Sequence, residues 1–241
     1  MKSSSDRSRS GNEVPESSVA AMFDSIAPVY DRMNTLMTVG MDGRWRRAAV
    51  KAARLEPGQS AVDVACGTGK LSAELARAIG PIGRVVGVDL APAMLEEARR
   101  VCADLVQVTF VEGNALALPF EDATFEAATI AFGLRNLADF ERGFREMARV
   151  VKPGGRVVCL ELSRMRPRPV GRAYVAIFGT FAPVLGSLFR RRRAYAYLPH
   201  SLAGFPEPNE LAETMRNAGL EQVTWRRLAL GAVALHEGVV A

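Results

Sequence analysis

The feature that most restricts this chain is a strand–helix alternation between residues 60 and 161. Ser60–Ala65 (SAVDVA) reads as a buried strand, Lys70–Ile79 as a helix, Arg84–Asp89 as a strand and Pro92–Val101 as a helix. Strands follow at Val106–Val111 and Phe125–Ala131, then a helix at Phe140–Val151 and a fifth strand at Gly155–Glu161. Parallel neighbours cannot be joined by a hairpin; each pair needs a crossover, and the crossover helices cover the sheet. The pattern therefore predicts an α/β fold with a mostly parallel sheet and helices on both faces. Ligands of such sheets bind beyond the carboxyl ends of the strands.

Flanking segments complete the organisation. Val19–Asn34 and Gly43–Leu55 carry helical apolar spacing, so residues 17–54 are expected to form an N-terminal helical cap ahead of the core at 55–163. Residues 1–16 begin Ser- and Arg-rich without an apolar run, which fits neither a secretory signal nor a transit peptide and predicts a disordered tail. After Ser163 an insertion at 164–205 intervenes. A helix at about Glu207–Asn217 and β-like runs at Gln222–Leu228 and Ala232–Val240 then bring the sheet to seven strands.

Apolar residues at 49% and charged residues at 24% suit one fair-sized domain with a real core and exclude a disordered or coiled-coil chain. Cys66, Cys102 and Cys159 are scattered, and with two histidines they provide neither a disulfide framework nor a metal-ligand cluster, so a reducing cytoplasm and no metal are expected. Eight arginines and no acid fall between Arg164 and Arg193; they exceed the net charge of +5, so the rest of the chain is net acidic. Positive charge this local, with aromatics at only 7%, argues against a nucleic-acid partner. The arginines bracket Ala173–Phe189, 17 residues interrupted by Gly179, Pro183 and Gly186. That is shorter than the roughly 20 apolar residues of a bilayer span, and it reads as amphiphilic.

The first strand runs through Asp63 into Cys66-Gly67-Thr68-Gly69, and Asp89 ends the second strand. A dinucleotide site would use GxGxxG to leave helix N–H groups free for a pyrophosphate. Here Ser72 stands at the third glycine position, and the Asp63 carboxylate would repel a pyrophosphate. The same carboxylate suits a ligand carrying an ammonium and a sulfonium, which points to S-adenosylmethionine. Gly67 and Gly69 then let backbone approach the ligand, and Asp89 accepts from the ribose hydroxyls. Gly113-Asn114-Ala115 ends the third strand; Asn114 either bonds the adenine edge, with Leu90, Ala115 and Leu116 around the ring, or simply forms an Asx turn.

Taken together, FDSIAPVYDRMN (Phe23–Asn34), VDVACGTG, GNALALPF, AFGLRN (Ala131–Asn136), RVVKPGGRVVCLELS (Arg149–Ser163) and YAYLPHS (Tyr195–Ser201) resemble the class I S-adenosylmethionine-dependent methyltransferases. More narrowly, they resemble the C-methyltransferases of menaquinone and ubiquinone biosynthesis, from Met22 onward. The chain departs from that family at Ala131, often Ser; at Asp42, often His; and at Ala229, often Thr or Ser. The resemblance implies a Rossmann-like fold, with cofactor contacts at Thr68, Asp89, Asn114 and Ala115 and with Arg135 beside the reacting ring. The implied reaction methylates a ring carbon of a prenylated quinol, demethylmenaquinol or a ubiquinone-pathway benzoquinol. A phenolate must push electron density onto that carbon. Arg135 is no base at neutral pH, since its pKa exceeds about 12, but it can stabilise the phenolate or orient a water.

His236 is a second candidate proton acceptor, against its reading as a strand histidine satisfied by hydrogen bonds. Tyr30, with Asp31, is a candidate lid over the cofactor, and equally core packing with a helix cap. Asn136, Tyr195, Tyr197 and His200 are candidates to line the quinol pocket. Because prenyl quinols reside in the bilayer, Ala173–Phe189 reads as an apolar gate and Arg190–Arg193 as contacts to anionic head groups, at roughly 1 kcal/mol each. That places the protein in the cytoplasm with peripheral membrane contact, and a homodimer is kept as a further partner. The competing functions are a methyltransferase of a soluble small molecule, a dinucleotide oxidoreductase and a noncatalytic adaptor.

Overall fold

A computed structural model describes residues 14–38, 40–163 and 204–241. Two helices, α1 (Glu16–Met37) and α2 (Asp42–Ala53), precede the sheet. The core then runs β1 (Ser60–Val64), α3 (Lys70–Ile79), β2 (Arg84–Asp89), α4 (Pro92–Val101), β3 (Val108–Glu112), β4 (Phe125–Ala131), α5 (Phe140–Val150) and β5 (Val151–Leu162). Helix α6 (Pro208–Asn217) and strands β6 (Leu220–Leu228) and β7 (Val233–Val240) finish it. The strand order is β3-β2-β1-β4-β5-β7-β6, parallel except for β7, which runs antiparallel to both neighbours. This is the mostly parallel seven-stranded sheet expected from the alternation.

Alternate residues of the central strands feed opposite faces, and both faces are apolar there because both are covered. Val62, Val64, Val86, Val88, Ala128 and Ile130 pack with Phe140, Phe144 and Met147 of α5 and Leu211 and Met215 of α6. Ala61, Val85, Ala127, Val158 and Leu160 pack with Trp45 and Ala49 of α2 and Leu71, Leu75 and Ile79 of α3. Helix α5 starts at an Asp139 cap whose carboxylate accepts from the Arg142 N–H at 2.9 Å, an arrangement worth about 1 kcal/mol.

Element ends differ from the sequence reading for local reasons. Strand β3 begins at Val108 because Val106 sits on a turn, 87% exposed. Strand β5 starts at Val151, where Val151 pairs with Phe125 across a register shift. Strand β6 starts at Leu220, since a bulge between Glu221 and Thr224 absorbs Gln222, whose φ is 48°. The expected helical insertion at 164–205 lies almost wholly outside the described residues, as do Tyr195, Tyr197, His200 and the arginine cluster. No helix among the described residues is long and apolar enough to cross a membrane.

Candidate active site

The chain order reverses between β1 and β4, and at that switch point the strand ends diverge and leave a crevice. It holds a cavity lined by the turns after β1, β2, β3 and β4 and roofed by α1 and α2. Of the residues singled out in the sequence, Asp63, Gly67, Thr68, Asp89, Leu90, Asn114, Ala115, Tyr30 and Asn136 all line it.

The β1 turn is held open from both ends. Asp89 accepts from the Gly67 N–H at 2.8 Å on one oxygen and from the Ala91 N–H at 3.0 Å on the other. A carboxylate has about four acceptor positions, so Asp89 keeps capacity for a further donor from a ligand. Gly67 adopts φ 53°, and a Cβ there would meet no atom within 4 Å, so bare backbone faces the cavity. Gly69, in contrast, does not line it. A Cβ on Gly69 would sit 3.0 Å from Ala98 Cβ and Phe110 Cζ, so this glycine lets α3 start close against α4 and β3.

Asp63 is buried and accepts from Ser72 Oγ at 2.7 Å and Thr129 Oγ1 at 3.0 Å. Ser72, at the missing glycine's position, thus serves the carboxylate. Burial raises the Asp63 pKa to about 6, and the Asp89 pKa is also raised, chiefly by burial. Two acids that resist ionisation when alone gain most from a cationic ligand. With the open glycine turn, they fit an aminoacyl sulfonium nucleoside and not a pyrophosphate. Ala65 and Phe132, at the ends of adjacent β1 and β4, have φ of 51° and 58° and line the same cavity. Backbone strain of this kind concentrates at binding sites.

Helix α1 closes one side. Asp24 accepts from the Ala93 N–H at 2.9 Å, capping α4 across the gap, and Asp31 accepts from Thr68 Oγ1 at 2.7 Å and lies 3.4 Å from Lys70 Nζ. Tyr30 meets Phe23 edge to face, 5.8 Å between centroids, on the cavity side of this helix. Asn114 makes the Asx turn, its Oδ1 accepting from the Leu116 N–H at 2.7 Å, while Leu116 packs into the core and does not line the cavity.

Two candidate catalytic residues stand differently from expectation. His236 is buried in β7, stacked on Trp225, with its Nε2–H donating to the Pro208 carbonyl at 2.9 Å. It does not reach the cavity, and burial lowers its pKa to about 4, so the structural reading of this histidine replaces the catalytic one. Arg135 is buried beside the cavity in a 3₁₀ turn, Leu134–Asn136, with its guanidinium 2.6 Å from Glu161 and 2.6 Å from the Phe132 carbonyl. Glu161 also accepts from the Arg135 backbone N–H at 3.2 Å. Sequence reasoning missed Glu161, although a carboxylate inside the apolar run CLELS was a visible signal. It also missed Arg46 of α2, which lines the cavity from four residues after Asp42.

A Rossmann-like sheet with paired acids and an open glycine turn at its switch point defines a class I S-adenosylmethionine-dependent methyltransferase. A methyltransferase of Thermotoga maritima described as S-adenosylmethionine-dependent shares the fold at a TM-score of 0.65 and 21% identity, over 92% of this chain and 99% of that one. The chain belongs to the ubiE/COQ5 methyltransferase family, whose model matches residues 11–240. The demethylmenaquinone methyltransferase of Desulfitobacterium hafniense (strain Y51) is 40% identical over 90% of this chain and 87% of its own length. The ubiquinone/menaquinone biosynthesis C-methyltransferase of Hahella chejuensis (strain KCTC 2396) is 40% identical over 94% and 92%.

Proposed function

We propose that this enzyme methylates a ring carbon of a prenylated quinol, demethylmenaquinol in the first place and the ubiquinone-pathway benzoquinol in the second. The observation that carries the reading is likeness to relatives named for that chemistry over about nine-tenths of the chain, on a cavity built for a cationic methyl donor. The cofactor, when bound, supplies an electrophilic methyl group on sulfur. Gly67, Thr68, Asp89, Asn114 and Ala115 would hold its nucleoside, and Asp63 would favour its positive end.

The chain's own contribution is position, charge and dryness. Asn136 faces the cavity, while Arg135 and Glu161 form a buried neutral pair immediately behind it. That pair fixes the turn carrying Asn136 and keeps a positive guanidinium close behind the cavity wall without leaving a bare charge, where its field can favour a phenolate. Holding the reacting atoms about 3–3.5 Å apart in a water-poor site supplies on the order of 7 kcal/mol of the barrier.

Residues 164–205 are read from sequence as the substrate lid, with the arginines at anionic lipid, the protein cytoplasmic and peripheral, and self-association as a homodimer. The test is turnover of demethylmenaquinol and of the benzoquinol, followed as a gain of one methyl in the product mass. Arg135→Ala should keep cofactor affinity and lose turnover; the double change with Glu161→Gln, which leaves no buried unpaired carboxylate, separates that loss from misfolding. Turnover at the native rate in either variant would remove the role given to Arg135.

A further inference from the structure

Among the described residues, four charged side chains line the cavity: Asp63, Asp89, Lys70 and Arg46. Lys70 is about a quarter exposed and is tied to Asp31 beside the roof helix. Arg46 is different in kind. It is 8% exposed, rises from α2 into the cavity wall, and lies with its Cζ 6.0 Å from the Phe132 ring centroid. Trp45, next to it, packs on the same ring at 6.2 Å. Its one hydrogen-bonded partner among the described residues is Asp42, 2.5 Å from Nη1 and itself buried. Arg46 also acts electrostatically on Asp63, lowering the pKa that burial raises.

A guanidinium presents five N–H donors in a planar fork, and Asp42 takes one edge of it. Its other donors have no hydrogen-bonded partner among the described residues, and because Arg46 lines the cavity, a second planar anion lying there is within its reach. The cofactor has one: its amino-acid end carries a carboxylate on the same carbon as the ammonium. A site with an acid and an arginine in electrostatic contact is complementary to that zwitterion.

We infer that Arg46, held by Asp42, binds the carboxylate of S-adenosylmethionine while Asp63 faces its ammonium. The inference rests on the cofactor assignment and not on the identity of the methyl acceptor. Asp42 is the positioning residue: it holds the guanidinium through Nη1 and neutralises the buried arginine before ligand arrives. Burial with a single carboxylate partner explains why the arginine tolerates the apolar wall formed by Trp45 and Phe132.

The experiment compares S-adenosylmethionine with its decarboxylated analogue by titration calorimetry in the full-length protein. Wild type should bind the intact cofactor ~10-fold or more tightly, as a charge-assisted hydrogen bond requires. Arg46→Met should abolish that preference by weakening the intact cofactor alone. If Arg46→Met unfolds the chain, the double variant D42N/R46M leaves no unpaired buried carboxylate and carries the same readout. Retention of the full preference by the folded variant would overturn the inference, as would equal losses for both ligands. Should neither ligand bind the wild type, the cofactor assignment fails, and that result is distinct from a failure at Arg46.

Discussion

Asp63 is where burial and ligand charge meet most directly. Among the described residues its carboxyl has no cation in hydrogen-bond contact, only the hydroxyls of Ser72 and Thr129, so desolvation prevails and its pKa rises from 3.8 to about 6. For the free protein, the stability this contributes is present below pH 3.8 and is lost as pH rises through about 6. A cation beside the carboxylate reverses the preference. Affinity for S-adenosylmethionine should therefore fall about tenfold between pH 7.5 and pH 5, with a proton released on binding at the lower pH. Calorimetry in buffers of different ionisation enthalpy measures both, and a pH-independent affinity in wild type, or an undiminished pH step in Asp63→Asn, would refute it. His236 shows the opposite outcome of burial: with only the Pro208 carbonyl to meet, it stays neutral and becomes part of the frame.

Among the elements, α1 differs from the rest in how it is attached. Its apolar side, Ile26 and Ala27, packs on Ala91 and Met94 at the start of α4, and Asp24 and Asp31 fasten it at two polar points. One of those points is the glycine turn itself, so the roof can open only by releasing Thr68. Asp31→Ala removes that bond together with the Lys70 contact, a net change of about 1 kcal/mol. Dissociation of adenosylhomocysteine, followed by stopped-flow fluorescence, should speed up about fivefold. An unchanged rate would mean that ligand escapes elsewhere and that α1 is fixed packing. The central strands β1, β2 and β4 leave no such choice, being buried on both faces.

Across the whole molecule, the charge is divided: a net acidic remainder builds the cofactor cavity, while eight arginines sit within residues 164–193. A polyprenyl substrate confined to lipid gives that division a use, since basic residues near an anionic surface contribute about 1 kcal/mol each. Changing Arg190 to Arg193 to Gln should abolish co-flotation with phosphatidylglycerol vesicles while leaving cofactor affinity as it was. Equal recovery of variant and wild type would dispose of membrane attachment through this segment.

The strand alternation by itself determined the parallel sheet, its covered faces and the crevice at the carboxyl ends, because backbone hydrogen bonding and apolar periodicity are local and leave few ways to connect such strands. The turn sequence around Gly67 and the acids at 63 and 89 likewise marked the cavity proposed for the cofactor, since all lie within one short βαβ unit. What only the tertiary structure decided depended on partners far apart in the chain. Nothing local told that Glu161 would close on Arg135, 26 residues earlier, that His236 would turn to Pro208, or that Arg46 of a preceding helix would enter the cavity wall. Side-chain direction and burial at such positions follow from which elements finally pack together, and that information is distributed over the whole fold.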